Sequence, residues 1–321
     1  KSSSGSETYM ADSRKIVVGV DGSRAGVVAA LWAASVADKV GCPIRIVHVL
    51  PEDLYRVSAE MVIKQGAVIA RKRDAARAIV DDAVAAVGQR HPNISSSGTI
   101  VAGPTSTALA RVGRDAQMIV LGHPRGLDGP MSALSIAADV ASRASCPVLV
   151  RRGPSWQYPD NKRPVVLGVD ADGSSEQAVM SAFEYADRFG APIRAVHAHL
   201  PDDSDRGRTL RRVDASSVAG EGAMPSVDAF VAARHRFPKV QVTQEVARVN
   251  HRAHALAAGS VDAQLLVVGT HGRGRVTETL YRSTTHRLVG HSPCPILICP
   301  TDLVVGDSAR ADRPTADPVD E

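Results

Sequence analysis

The residues best able to do chemistry in this 321-residue sequence lie in "VVGTHGRGRVTETLYRSTTHR", Val267 to Arg287. Gly269, Gly272 and Gly274 stand among His271, Arg273, Arg275 and Arg282, between an apolar run and a helical pattern that Ser283 can head. Phosphate binding needs backbone N–H groups that point outward. Glycine permits this by adopting positive φ and by letting a ligand approach the chain, and a helix N-terminus adds positive potential. The same residues would also make a plain strand-to-helix turn, and a glycine cluster alone does not separate the two readings.

Other candidates carry two readings each. Asp21 and Asp170 end matching "GVD" runs, where a carboxylate can hold a sugar hydroxyl or start the Gly/Ser turn that follows. His48 and His197 sit in apolar runs and read as satisfied rim histidines rather than bases. His251 and His254 are three apart, but no third metal ligand accompanies them. The four cysteines show neither CxxC nor metal spacing; Cys294 and Cys299 would face opposite sides of one strand, and buried reduced thiols are expected. No Ser/His/Asp set, paired carboxylates or HxGH signature is present, so no catalytic residue is assigned.

These residues need a frame, and the chain writes it twice. "KIVVGVDGS" returns as "PVVLGVDADGS", and "GCPIRIVHVLPED" as "GAPIRAVHAHLPDD", both 149 residues on. "AQMIVLG" answers "AQLLVVG" and "SCPVLV" answers "PCPILI", with Cys146 and Cys294 148 apart. So long a period means a duplicated domain. Each copy alternates apolar runs with alanine-rich helical patterns (Val27 to Val40; Glu176 to Phe189), which implies parallel strands joined by crossovers. Two doubly wound α/β, Rossmann-type domains are expected, at 11–152 and 164–301, with a linker at 153–163. Residues 1–10 read as added sequence outside the fold and 302–321 as an unstructured tail. Ser58 to Gln89 reads as one long amphipathic helix, while its counterpart, 202–225, is broken by glycines and Pro225 and is expected to be a mobile loop before a helix at Ser226 to Arg236.

Composition narrows the function. With 38 basic against 34 acidic residues the net charge is only +4, scattered and without interleaved aromatics, so nucleic acid is not an expected partner. No apolar run reaches the ~18 residues of a membrane span, and a cytoplasmic protein without membrane contact is expected.

The ordered set of "GVD", "VH", "VVGTHGRG" and "CPILI" in a duplicated chain resembles the universal stress protein family in its tandem form, over nearly all of Lys15 to Pro300. In the nucleotide-binding branch the turn reads Gly, two residues, Gly, nine residues, Gly, then Ser or Thr, and wraps ATP phosphates. The resemblance therefore implies ATP, with Mg2+, bound mainly in the second domain by Asp170, Ala198, Val268, Gly269, Gly272, Arg282, Ser283 and Thr284. Arg282 stands where the third glycine belongs. Strain from a side chain at positive φ, roughly 1–2 kcal/mol, is nearly offset by charge-assisted bonds to phosphate of about 1.5–3 kcal/mol. The first domain keeps Asp21, Val49, Gly122, Gly126 and Ser135, but Leu134 replaces the third glycine, Pro124 lacks an N–H and Asp128 adds negative charge, so a weaker or empty site is expected there. The last strands, "CPVLV" and "CPILI", are apolar edges; the resemblance implies that they meet as an internal pseudo-dimer, with homodimers possible beyond it. A nucleotide-free, dimerising interaction module of the same family is the alternative.

Overall fold

A computed structural model describes residues 14–51, 59–123, 131–152, 158–160, 162–169, 176–199, 210–213, 228–248, 251–269 and 287–300. The first half runs β1 (Lys15–Gly19), α1 (Arg24–Val40), β2 (Ile44–Leu50), α2 (Ala59–Arg90), β3 (Ser96–Ala102), α3 (Thr105–Val112), β4 (Ala116–Gly122), α4 (Met131–Arg143) and β5 (Val148–Arg151). The second runs β6 (Val165–Val169), α5 (Glu176–Phe189), β7 (Ile193–His199), β8 (Leu210–Val213), α6 (Asp228–Arg236), β9 (Val242–Arg248), α7 (Arg252–Gly259), β10 (Leu265–Gly269) and β11 (Ile296–Cys299), with residues 287–291 also helical. The expected leader and tail lie outside the described residues.

Local chemistry sets the element ends. Ser23 caps α1, its Oγ accepting the Gly26 N–H, and Gly41 closes the same helix at φ +74°, a left-handed turn that a Cβ disfavours. The β-branched runs of β1, β4, β6 and β10 are buried on both faces, as parallel strands under helices must be.

All eleven strands form one sheet in the order β3-β2-β1-β4-β5-β11-β10-β6-β7-β9-β8. The order within each half reverses between β1 and β4, and again between β6 and β10. Pairing is parallel except at two places. At the middle, β5 runs antiparallel to β11 with Leu297 opposite Leu149, Ile296 opposite Val150 and Ile298 opposite Val148. In repeat register Leu149 answers Leu297, so equivalent residues face each other at the centre and the seam is self-complementary. At the far edge, β8 pairs antiparallel with β9. That corrects the expectation of a mobile loop throughout 202–225. The four residues Leu210–Val213 find a ladder on an edge strand, and the glycines on either side conceal so short a run; the rest of the segment lies outside the described residues.

Two apolar cores cover the sheet, one on each face, and both cross the seam. One gathers α1, α5, Leu149 and Leu297; the other gathers α3, α4, α7, Val148, Val150, Ile296 and Ile298. Cys299 belongs to the first and Cys294 to the second, on opposite faces as their spacing requires. Asp160 and Arg163, in the segment expected to be the linker, are clasped to the second half. Gln264, 1% exposed, donates through Nε2 to the carbonyls of Asp160 (2.7 Å) and Arg163 (2.5 Å) and accepts the Asp160 N–H at 3.0 Å.

Candidate functional site

Ligands of doubly wound sheets collect where the strand order reverses, beyond the carboxyl ends of the strands. At that point of the first half a cavity of ≈ 180 Å³ opens between the ends of β1, β2 and β4 and the helices α3 and α4. Asp21, His48, Val49, Thr105, Gly122 and Ile136 are among the residues that wall it. Most of the wall is apolar or glycine, with Asp21, His48 and Thr105 as its polar side chains, the usual make-up of a small-molecule site.

The turn carrying Asp21 is built in steps. Asp21 Oδ1 accepts the Ser23 N–H at 3.0 Å, and Ser23 Oγ in turn accepts the Gly26 N–H at 3.2 Å. One carboxylate oxygen is thus engaged in the turn, while the exposed side chain keeps further acceptor capacity for a ligand hydroxyl. Beneath it, His48 Nδ1 lies 2.8 Å from the Val20 carbonyl. A carbonyl only accepts, so Nδ1 carries the proton and the ring is a strut under the Asp21 turn. His197 repeats the contact on Val169 at 3.1 Å. Both histidines are the satisfied rim residues that their apolar strands suggest.

Gly122 is required by close approach. A Cβ there would lie 2.3 Å from the Ala25 carbonyl oxygen, so β4 can end against the first turn of α1 only without a side chain. Of the other first-half residues expected to bind, Asp21 and Val49 line the cavity, Ser135 falls in α4, and Gly126 lies outside the described residues. Thr105, Leu109, Ile136 and Ala137 were not read as site residues. Thr105 follows "GP" and opens α3, and that strand-to-helix junction at the binding end of the sheet was the available signal.

In the second half, Ala198 lies in β7 opposite Ala247, and Gly269 ends β10 opposite Cys299. Val268, 6% exposed, packs in the core, with its Cγ1 3.2 Å from where a Cβ on Gly168 would stand. Asp170, Gly272, Arg282, Ser283 and Thr284 lie outside the described residues. In repeat register Gly168, His197, Leu256 and Val268 answer Gly19, His48, Leu109 and Leu121, so the described part of this crevice has the same plan.

Thiol chemistry is absent from the described site. Cys42, Cys146, Cys294 and Cys299 are buried, and none is in a disulfide. Burial pushes the Cys146 thiol up to about 11 and those of Cys294 and Cys299 up to about 12, so none is a ready nucleophile. Among the described residues no group of three or more His, Cys, Asp or Glu side chains is placed to hold a metal, and no helix is long and apolar enough to cross a membrane.

The profile of the universal stress protein family matches residues 13–152 and 162–300, once for each half. The chain belongs to the universal stress protein family. It is 31% identical over 294 residues to universal stress protein Rv2005c of Mycobacterium tuberculosis, covering 88% of this chain and 96% of the relative. A universal stress protein of Mycolicibacterium smegmatis is 29% identical over 298 residues, again with 88% and 96% covered. Among solved structures, the crystal structure of a universal stress protein from Archaeoglobus fulgidus has a TM-score of 0.64 at 14% identity, covering 91% of this chain and 99% of that one. That likeness is one of fold: a mostly parallel α/β sheet repeated in tandem.

Proposed function

We propose that this universal stress protein binds adenine nucleotide, ATP mainly in the second half, and serves as a sensor or regulator in a stress response rather than as an enzyme. The observation that carries the reading is the cavity between β1, β2 and β4. At ≈ 180 Å³ it is smaller than the roughly 300–1,000 Å³ of a drug-sized site. It suits the base and sugar of a nucleotide, leaving phosphates to extend over the turn after β4. Asp21 offers the sugar an acceptor, and by the repeat Asp170 does the same in the second half.

Charge separates the two halves. The turn after β10 contains His271, Arg273, Arg275 and Arg282 with one acidic residue, Glu278, whereas the turn after β4 has only His123 and Arg125, beside Asp128 and Pro124. A triphosphate, with Mg2+ carried on its phosphates, is favoured by the former, and the first half grips its ligand less tightly. The two halves act as an internal pseudo-dimer through the β5–β11 seam, in a reducing, cytoplasmic setting that suits four buried cysteines without a disulfide.

The test is to denature the purified protein, identify any released nucleotide, and titrate ATP into wild type, Asp21→Ala, Asp170→Ala and Gly272→Glu. Loss of most of the heat is expected in Asp170→Ala and Gly272→Glu, and a smaller loss in Asp21→Ala. No released nucleotide and no heat in wild type would leave the alternative, a nucleotide-free interaction module built on the seam.

A further inference from the structure

We propose that the seam between the two halves holds an oxyanion of phosphate type on Arg152. β5 ends at Arg151, which pairs with Gly122 of β4, and Arg152 follows it at the binding end of the sheet. The Arg152 side chain is inside the protein, 9% exposed as a residue. Its Nη1 donates to the Val289 carbonyl at 2.7 Å and lies 3.2 Å from His123 Nδ1. Both bonds leave from Nη1. Among the described residues the buried Nε has no hydrogen-bond partner, and the Nε–Nη2 edge takes part in neither bond. That edge is the planar fork that matches two oxygens of one phosphate.

The electrostatics agree with the geometry. A buried guanidinium is expected to face a carboxylate. Among the described residues Arg152 has only a carbonyl and an imidazole nitrogen, and burial pulls its pKa down. A second cation is adjacent: Arg151, 3% exposed, donates through Nη1 to the Arg152 carbonyl. The Val289 carbonyl belongs to the helical residues 287–291 and explains one nitrogen as a helix cap, but it leaves the fork edge unmet. In repeat register Arg151 and Arg152 correspond to Cys299 and Pro300, so the cations occur at one end of the seam alone and do not serve the strand pairing itself. Among the described residues no carboxylate meets this edge, and the atoms around Arg152 come from both halves.

The source is either free phosphate or the phosphoryl chain of a nucleotide seated in the neighbouring crevice, whose wall includes Gly122. The test is the thermal midpoint of the full chain in chloride and in increasing inorganic phosphate, ATP or adenosine at fixed ionic strength, for wild type, Arg152→Met and Asp21→Ala. Wild type should gain roughly 5 °C, saturably, with phosphate or with ATP. Arg152→Met should show no such gain, and its midpoint in chloride should be no lower than that of wild type, because it removes a buried charge without a counter-ion. A response to phosphate identifies a free oxyanion; a response to ATP with phosphate inert identifies the nucleotide's own chain. Should Arg152→Met not fold, Arg152→Lys, which keeps the charge and loses the fork, should raise the half-saturating anion concentration about tenfold or more. The proposal is overturned if wild type responds to neither anion, if Arg152→Met or Arg152→Lys responds like wild type, or if Arg152→Met melts lower in chloride, as loss of a cap would make it do. The nucleotide reading is judged separately, by a response to adenosine that Asp21→Ala removes.

Discussion

Single residues decide how tightly the crevice is built. Gly122 lies so close to the Ala25 carbonyl that even a methyl group must push α1 off the end of β4. Gly122→Ala is expected to lower stability by about 1–3 kcal/mol and to weaken ligand binding as well, as urea unfolding and titration will report; an unchanged urea midpoint would contradict that packing. Tyr185 offers the opposite case. Its hydroxyl is buried and, among the described residues, has no hydrogen-bond partner, and burial raises its pKa well above the ordinary value. Tyr185→Phe should leave stability unchanged or raise it by about 1 kcal/mol, since no bond is lost and an unmet polar group disappears. Asp21 and Gly122 were legible in the sequence because a turn at one and a close backbone approach at the other restrict residue type there. Thr105, Leu109 and Ile136 were not, because what brings a threonine and two aliphatics to one cavity is the crossing of α3 and α4, which one sequence does not specify.

At the level of elements, period and punctuation revealed most of the plan. The first GVD turn, the alanine-rich helices and the doubled strands read through, since each is a local pattern repeated at a fixed interval. β8 did not, because four residues between glycine-rich flanks carry too little periodicity to announce a strand. The apolar edges were legible, their meeting was implied by the family resemblance, and the register between them makes the seam testable. Leu149, 1% exposed and opposite Leu297, should not tolerate a charge. Leu149→Asp is expected to cost several kcal/mol and to split a single unfolding transition into two as the halves part; one unshifted transition would mean that the seam does not hold them together. The clasp makes a quieter claim. Gln264→Leu leaves the Asp160 N–H and the carbonyls of Asp160 and Arg163 without their buried partner, so about 1–3 kcal/mol should be lost, read as faster proteolysis in the linker than in wild type.

For the molecule as a whole, the thiols set an alkaline limit. Their ordinary pKa is 9.0, and burial raises it to about 11 for Cys146 and about 12 for Cys294 and Cys299. Below pH 9 both the folded and the unfolded chain keep these protons, so the contribution to stability is complete. Above it the unfolded chain releases protons that the folded chain retains, and stability falls until the folded thiols ionise in turn. The slope should approach about 1.4 kcal/mol per pH unit for each thiol. Urea midpoints from pH 8 to 10 should fall less steeply in Cys294→Ala than in wild type, and equal slopes would refute the assignment. The antiparallel join of β5 to β11 has a further consequence. Because both partners are carried on one polypeptide, their association is a first-order event that dilution does not reverse. The β5–β11 join is therefore as complete in a dilute solution as in a concentrated one, and the two halves stay in a one-to-one ratio.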